Sequence, residues 1–376
     1  MRLAVDATAL LGARTGVGVV TNELLARLGR DPDVDVVAYA VTWRGRGDLA
    51  ALLPAGVRAG SRPMAARPLR AAWVRADVPP IEWWTGPIDV VHGPNYVVPP
   101  TRAAAQLVSV HDLTFVHHPE LCTADTLAYP GLIRRALHRG ATIHTGSAFV
   151  AGEIADVFGV PLADVVVVPY GATRLPATEP DTDAEAGRTL AAADRYVLAL
   201  GTVEPRKDLP SLVGAFDAIA GRRPDLCLVI AGPDGWGSTA LDAARAASPH
   251  RDRIRRLGWV TDREALALLR GAAVYAYPSV YEGFGLPPLE AMAAGTPVVC
   301  STAGSLPEVV GDAAVTVAPG DTDALADAIA RVLDDDALVA QLRERGERRA
   351  RGFTWDRTAD GLVDTYRRLA ALHSPV

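Results

Sequence analysis

The chain has 376 residues, 49% of them hydrophobic, with a net charge of −6. That length calls for two domains, the apolar fraction fills two buried cores, and the acidic balance argues against a nucleic-acid partner. No window approaches a membrane span, and Met1-Arg2-Leu3-Ala4-Val5-Asp6, with an acid in its apolar run, reads as a first strand rather than a signal peptide.

Strand-like runs at Arg2–Asp6, Val34–Val41, Ile88–His92, Gln106–His111, Ala141–Thr145 and Val165–Val168 alternate with helical patterns such as Val17–Leu28, Thr126–His138 and Phe149–Phe158. This alternation predicts a parallel α/β sheet. Polar, irregular sequence from 172 to 194 reads as an interdomain linker. The rhythm then restarts with strands at Tyr196–Gly201, Cys227–Gly232, Ile254–Val260, Ala273–Tyr277, Pro297–Cys300 and Ala314–Val317, a second α/β sheet. Thr261 with Glu264 matches a capping box, Asp321–Leu333 gives a long late helix, and Arg357 to Leu372 is an amphipathic helix whose partner surface cannot be read. Open α/β sheets bind ligands at the carboxyl ends of their strands, and the motifs below fall at such ends.

Tyr281-Glu282-Gly283-Phe284-Gly285-Leu286-Pro287-Pro288-Leu289-Glu290 places two carboxylates eight positions apart across a glycine-rich turn. A helix is expected to begin near Leu286 or Pro287. Its free amides form an anion site that Gly283 and Gly285 open to a ligand, and Glu282 and Glu290 flank it as acceptors for hydroxyls. Hydroxyls at both ends of a phosphate describe a sugar nucleotide. Gly201-Thr202-Val203-Glu204-Pro205-Arg206-Lys207 follows another strand. Of 38 basic residues 37 are arginine, and Lys207 is the single lysine, which suggests a task for a compact ammonium such as contact with a diphosphate, beside the planar fork of Arg206. The ordinary alternative is a solvated surface lysine.

Gly16-Val17-Gly18-Val19-Val20-Thr21 opens the first helix. Its sixth position is Thr, so it misses the dinucleotide fingerprint, and it is either a close-approach loop for phosphate or sugar or a tight turn. Val41-Thr42-Trp43-Arg44 offers no acid at the end of the second strand, which weakens a nicotinamide reading. His111-Asp112 ends a strand where a histidine or its carbonyl can meet a sugar hydroxyl; the pair could also be a base and its orienter, yet no suitable nucleophile is visible. His117 and His118 read as surface and fit no metal pattern. Asp31, Asp33, Asp35, Asp181 and Asp183 read as solvated turn or linker residues rather than metal ligands. Cys122, Cys227 and Cys300 form no CxxC pair, which fits buried thiols in a reducing cytoplasm and argues against zinc.

Residues 1–173 hold 15 arginines and 15 acids, and the remainder 23 basic against 29 acidic residues. Within the neutral half, Arg44, Arg46, Arg58, Arg62, Arg67, Arg70 and Arg75 face only Asp48 between positions 44 and 76, beside Trp43 and Trp73. This segment is either a solvated loop or a surface for anionic lipid or an anionic acceptor, so peripheral contact of a cytoplasmic protein with an anionic membrane through residues 44–75 is one expectation.

Together the paired glutamates, Arg206-Lys207, Gly16-Val17-Gly18 and His111-Asp112-Leu113-Thr114-Phe115 resemble, over nearly the full length, the retaining family-four glycosyltransferases. The resemblance implies the GT-B fold, an α/β architecture of two facing Rossmann-like parallel-sheet domains with a cleft between them. It implies an acceptor-side domain over 1–171, a linker over 172–194, a donor-binding domain over 195–353, and a last helix, 354–376, that crosses back to the first domain. It also implies that Glu282 and the amides of Phe284, Gly285 and Leu286 hold the donor sugar, that Glu290 holds the ribose, and that Arg206 and Lys207 stabilise the departing diphosphate. No metal or other cofactor is implied. The nucleobase is expected at main chain near Gly258-Trp259-Val260. Thr202 departs from branches of the family that place an arginine there. The motifs are most similar to those of bacterial mannosyltransferases of surface-polysaccharide assembly, which implies a hexose moved from a nucleotide sugar, first of all GDP-mannose, to a glycan, lipid-linked or small-molecule acceptor. A non-catalytic nucleotide-sugar-binding protein and a GT-B-like epimerase or phosphorylase are the alternatives.

Overall fold

The computed structural model describes residues 1–12, 16–43, 46–60, 64–172 and 179–373. The chain divides into two compact units, Met1–Gly171 with Trp355–Val376, and Ala172–Thr354. In the first, strands β1 (Arg2–Asp6), β2 (Asp35–Tyr39), β3 (Val57–Ala59), β4 (Val90–Gly93), β5 (Ala105–Ser109), β6 (Thr142–Thr145) and β7 (Val165–Val167) form a sheet in the order β3-β2-β1-β4-β5-β6-β7. In the second, β8 (Arg195–Leu200), β9 (Leu226–Ala231), β10 (Ile254–Gly258), β11 (Val274–Tyr277), β12 (Val298–Ser301) and β13 (Ala314–Val317) take the order β10-β9-β8-β11-β12-β13. Every pairing is parallel. Parallel strands need crossovers that cover both faces, which is why central runs such as β9, LCLVIA, are apolar and buried throughout. The order reverses between β1 and β4 and between β8 and β11. Loops leaving two such neighbours diverge to opposite faces and open a crevice at their carboxyl ends.

Local chemistry sets the helix ends. Thr261 and Glu264 form the reciprocal capping box of helix Asp262–Gly271. Ser147 caps helix Ala148–Phe158, which stops at Gly159 in the left-handed conformation (φ 68°). Asp321 caps helix Thr322–Asp334.

The segment read as a linker, 172 to 194, instead contains a helix, Pro180–Ala191, within the second unit; residues 173–178 lie outside the described residues. Its packing escapes a search for apolar periodicity because it uses a glycine and an ion pair. A Cβ on Gly187 would overlap the Ala267 carbonyl, so only glycine lets the two backbones meet. Asp183, expected to be solvated, is 8% exposed and paired with Arg270. Strand β10 ends at Gly258 (φ 70°), two residues before the expected limit, and Trp259 beyond it is 67% exposed.

The arginine-rich segment is not one loop. It holds helix Arg46–Leu52, strand β3 and helix Ala66–Arg75. Arg58 on β3 reaches Asp35 on β2 with bonds to both carboxylate oxygens at 2.8 Å, and Trp73 is 2% exposed, its indole N–H donating to Pro79 O at 3.0 Å. Arg44 and Arg62, and the side chains of Arg46, Arg67 and Arg70, lie outside what the structure describes.

The last helix, Trp355–His373, packs Ala359, Leu362, Val363, Tyr366 and Leu369 into the core cluster of Leu3, Val5, Leu24 and Leu107. A buried polar line runs inward from it. Tyr366 Oη meets His92 Nδ1 at 2.7 Å, His92 Nε2 meets Ser109 Oγ at 2.8 Å, Ser109 Oγ meets His144 Nδ1 at 2.8 Å, and His144 Nε2 meets Val168 O at 3.2 Å. A carbonyl only accepts, so His144 carries its proton on Nε2, and every donor along the line then points the same way. All members can be neutral and satisfied. Burial pushes both imidazoles down, His144 to about 4.

Candidate functional site

The loops after β8 and β11, on either side of the strand-order reversal, bring Arg206, Lys207 and Glu282 together. Pro205–Lys207 makes one tight helical turn, and Asp208 follows in the left-handed region (φ 46°), a conformation that short polar side chains tolerate. The Arg206 carbonyl accepts from Val280 N at 2.8 Å, and its guanidinium donates to Tyr281 O at 2.8 Å and meets Glu282 Oε1 at 2.5 Å. One arginine thus stitches the two loops together with its backbone and its side chain.

Glu282 is 6% exposed, and Tyr277, the last residue of β11, donates to it at 2.6 Å. Both bonds end on Oε1, so Oε2 is the oxygen left to offer a ligand hydroxyl. Burial alone would raise this carboxyl; the Arg206 charge, helped by Tyr277 and Lys207, outweighs it and holds Glu282 below the usual carboxylate range. Its main chain is fixed as well, since Ser305 N and Oγ donate to Glu282 O at 2.9 and 3.1 Å. A Cβ on Gly304 (φ 59°) would overlap that same carbonyl.

Lys207 is 9% exposed. Burial pushes its ammonium below the ordinary lysine range; Glu204 and Glu282 oppose the shift and Arg206 adds to it. A cation that its carboxylates do not fully compensate gains from an incoming anion. Room for it comes from Gly201 (φ 133°), where a Cβ would overlap the Lys207 ammonium. A cavity of about 10 Å³, space for one water, lies between Gly201, Lys207, Tyr277 and Pro278.

Helix Leu286–Ala293 begins as expected, with Gly285 in the left-handed region (φ 107°) before it and Pro287 in its first turn. Gly283, Phe284 and Gly285 are buried, and the Phe284 ring meets Phe353 edge-on at 5.9 Å. Leu286 and Glu290 are half-buried on the helix, and Glu290 is near enough to help keep the Tyr275 phenol protonated, after burial itself. Trp259 and Val260 follow β10, two strands from the reversal, at the same edge of the sheet.

The remaining predicted residues belong to the first unit. His111 is half-buried, and both ring nitrogens are engaged, Nδ1 with Tyr170 Oη at 2.8 Å and Nε2 with Pro94 O at 2.6 Å. Because the carbonyl accepts, Nε2 donates and Nδ1 accepts from the phenol, so the imidazole is spent on the protein and does not serve as a free base. Gly16 is exposed at the start of helix Gly16–Leu28, with open space where a Cβ would stand, and Gly18 is buried. Among the described residues nothing crowds position 16.

Sequence reading singled out neither Tyr277 as a contact of Glu282 nor Gly201, Gly304 and Ser305 as supports. The alternation Tyr275-Ala276-Tyr277 and the glycine closing β8 were the available signals. Among the described residues no group of three or more His, Cys, Asp or Glu is arranged to hold a metal ion, and no helix is long and apolar enough to cross a membrane.

Residues 182–349 match the family model "Glycosyl transferases group 1". The chain is 32% identical over 306 residues to O-antigen chain mannosyltransferase B of Escherichia coli, covering 80% of this chain and 78% of that one. It is 33% identical over 293 residues to glycogen synthase of Mycobacterium tuberculosis, covering 74% and 68%. Among solved structures it is similar to Anabaena HepE in complex with UDP and glucose (TM-score 0.75, 17% identity, 97% and 99% covered) and to sucrose-phosphate synthase of Thermosynechococcus elongatus (TM-score 0.76, 20% identity, 99% of each chain).

Proposed function

The chain belongs to the group 1 glycosyl transferases and has the GT-B fold, and from that premise we propose a retaining hexosyltransferase that draws on a nucleoside-diphosphate sugar, with GDP-mannose the first donor to test. The observation that carries this reading is the meeting of Arg206, Lys207 and Glu282 beside the N-terminus of helix Leu286–Ala293. The likeness to a mannosyltransferase supports the choice of sugar and of a glycan or lipid-linked acceptor.

Lys207 and Arg206 face the diphosphate, where negative charge grows as the bond from the anomeric carbon to the phosphate oxygen breaks. The amides at Phe284, Gly285 and Leu286, at the start of helix Leu286–Ala293, add the positive end of its dipole. Glu282 accepts from a donor-sugar hydroxyl through Oε2, and Glu290 from the ribose. The acceptor oxygen bonds the anomeric carbon on the face that the diphosphate leaves, and its proton passes to the departing phosphate oxygen, so the configuration is retained without a protein base. The ties on Glu282 Oε1 and on both His111 nitrogens suit this division of labour. Two protein cations supply the charge that a divalent ion supplies in other transferases.

A thermal-shift panel of GDP, UDP and dTDP sugars tests the donor, because a ligand bound only by the native state raises the melting temperature. Transfer from the sugar that shifts most should persist in EDTA and give product of unchanged anomeric configuration. Inverted product, or activity lost to EDTA and restored by magnesium, would overturn the mechanism.

A further inference from the structure

We propose that Tyr277 is a positioning residue whose hydroxyl, with Arg206, fixes Glu282 by one oxygen and so decides which oxygen is turned toward the donor sugar; this rests on the reading of the site as a nucleotide-sugar transferase. Tyr275 and Tyr277 lie on one face of β11, their rings stacked at 6.0 Å and 21°. Both are buried, so each phenol needs a partner. Tyr275 Oη finds Leu200 O at 3.3 Å, a backbone group at the end of β8, whereas Tyr277 Oη finds the Glu282 carboxylate at 2.6 Å. Packing in that place would be served equally by phenylalanine. The hydroxyl is what distinguishes Tyr277, and it is aimed at the ligand-facing acid.

Arg206 by itself leaves the carboxylate free to rotate about its contact. A second donor on the same oxygen defines the plane of the carboxylate and fills the two lone pairs of Oε1, which directs any hydroxyl to Oε2. The same bond favours the ionised acid. The charged and titratable groups facing it are Arg206, Lys207 and Glu204 from the loop after β8, Tyr275 and Tyr277 on β11, and Glu290 on the following helix, with Cys300 on β12 behind Tyr275. Among them only Arg206, Tyr277 and Lys207 hold the Glu282 carboxyl down.

The experiment compares the wild type, Tyr277→Phe and a variant with 3-fluorotyrosine placed only at 277, in binding of GDP-mannose, UDP-glucose, GDP and UDP and in the pH dependence of kcat/KM. In Tyr277→Phe the KM for the nucleotide sugar rises about tenfold while kcat changes less, as expected when a contact common to ground and transition states is lost. Affinity for the free diphosphate stays at the wild-type value, because Lys207 and the helix amides are untouched. The acid limb of kcat/KM moves up by about one pH unit, since losing a hydrogen bond to a charged group weakens the ionised form. Fluorine makes the phenol a stronger donor without removing it, so the third protein keeps the fold and its acid limb moves down. Variants with the wild-type KM and an unmoved limb overturn the proposal, as does equal loss of sugar nucleotide and free diphosphate. A wild type that binds neither nucleotide sugar overturns the donor-site reading and this proposal with it.

Discussion

Each unit buries a cluster of polar side chains, and the two spend their hydrogen-bonding capacity differently. In the first unit, Tyr366, His92, Ser109 and His144 form a neutral line in which each donor meets an acceptor and the last proton ends on Val168 O. In the second, Arg206, Lys207 and Glu282 are charged, and their mutual contacts leave Lys207 short of counter-charge and Glu282 with an oxygen in hand. The first arrangement fastens a helix to a sheet. Under the proposed function, a ligand that brings negative charge and hydroxyl groups completes the second.

The comparison is broken most severely at Lys207. Lys207→Ala should lower transfer by roughly 10²- to 10³-fold, the scale of a lost electrostatic contact to a developing charge. Its thermal stability should stay level or rise, because burial holds the ammonium in an unfavourable state. Steady-state kinetics beside thermal melts check both halves. Gly201→Ala should act on the same ammonium indirectly, displacing it with a methyl group and costing roughly 10- to 100-fold in rate.

In the neutral line the pattern inverts. Tyr366→Phe leaves His92 Nδ1 buried without its donor, so denaturant unfolding should show a loss of about 1–3 kcal/mol while turnover per folded molecule is kept. The line also has a pH signature. Burial holds His144 at about 4 in the folded chain, so below the ordinary histidine value of about 6.5 the unfolded chain takes up a proton that the folded one refuses. Stability therefore falls as pH drops from about 6.5 to 4, by up to roughly 3 kcal/mol from this residue, and His144→Gln should flatten that part of the slope in urea titrations. The smallest effect belongs to the surface: Arg58→Ala removes an exposed ion pair with Asp35 and should cost no more than about 1 kcal/mol.

Much of this was legible in the sequence. Strand runs, caps and the placing of Glu282, Gly285 and Arg206-Lys207 at strand ends follow from local periodicity and turn chemistry, which act over a few residues and leave their mark in the letters. Helix Pro180–Ala191 was not legible, because its fit depends on Gly187 meeting Ala267 and on Asp183 meeting Arg270, partners some 80 residues away. The arginine count between 44 and 76 could not show one pairing for the same reason: the acid that meets Arg58 lies on the neighbouring strand, outside the window. His111 lies two residues beyond the end of β5, which stops short of the strand limit that the sequence suggested, and its letter did not reveal that Tyr170 and Pro94 occupy both nitrogens.

What the sequence determined by itself was the alternation of strand and helix, the position of the glycine-rich turn between two acids, and the singular lysine. These depend on the order of residues along the chain. Only the tertiary structure decided that Tyr277 and Arg206 share one oxygen of Glu282, that Gly201 makes room for Lys207, and that Tyr366 reaches His92 across 274 positions. Such contacts depend on which strands become neighbours, and parallel sheets settle that through crossovers whose lengths carry no record of the side chains they bring together.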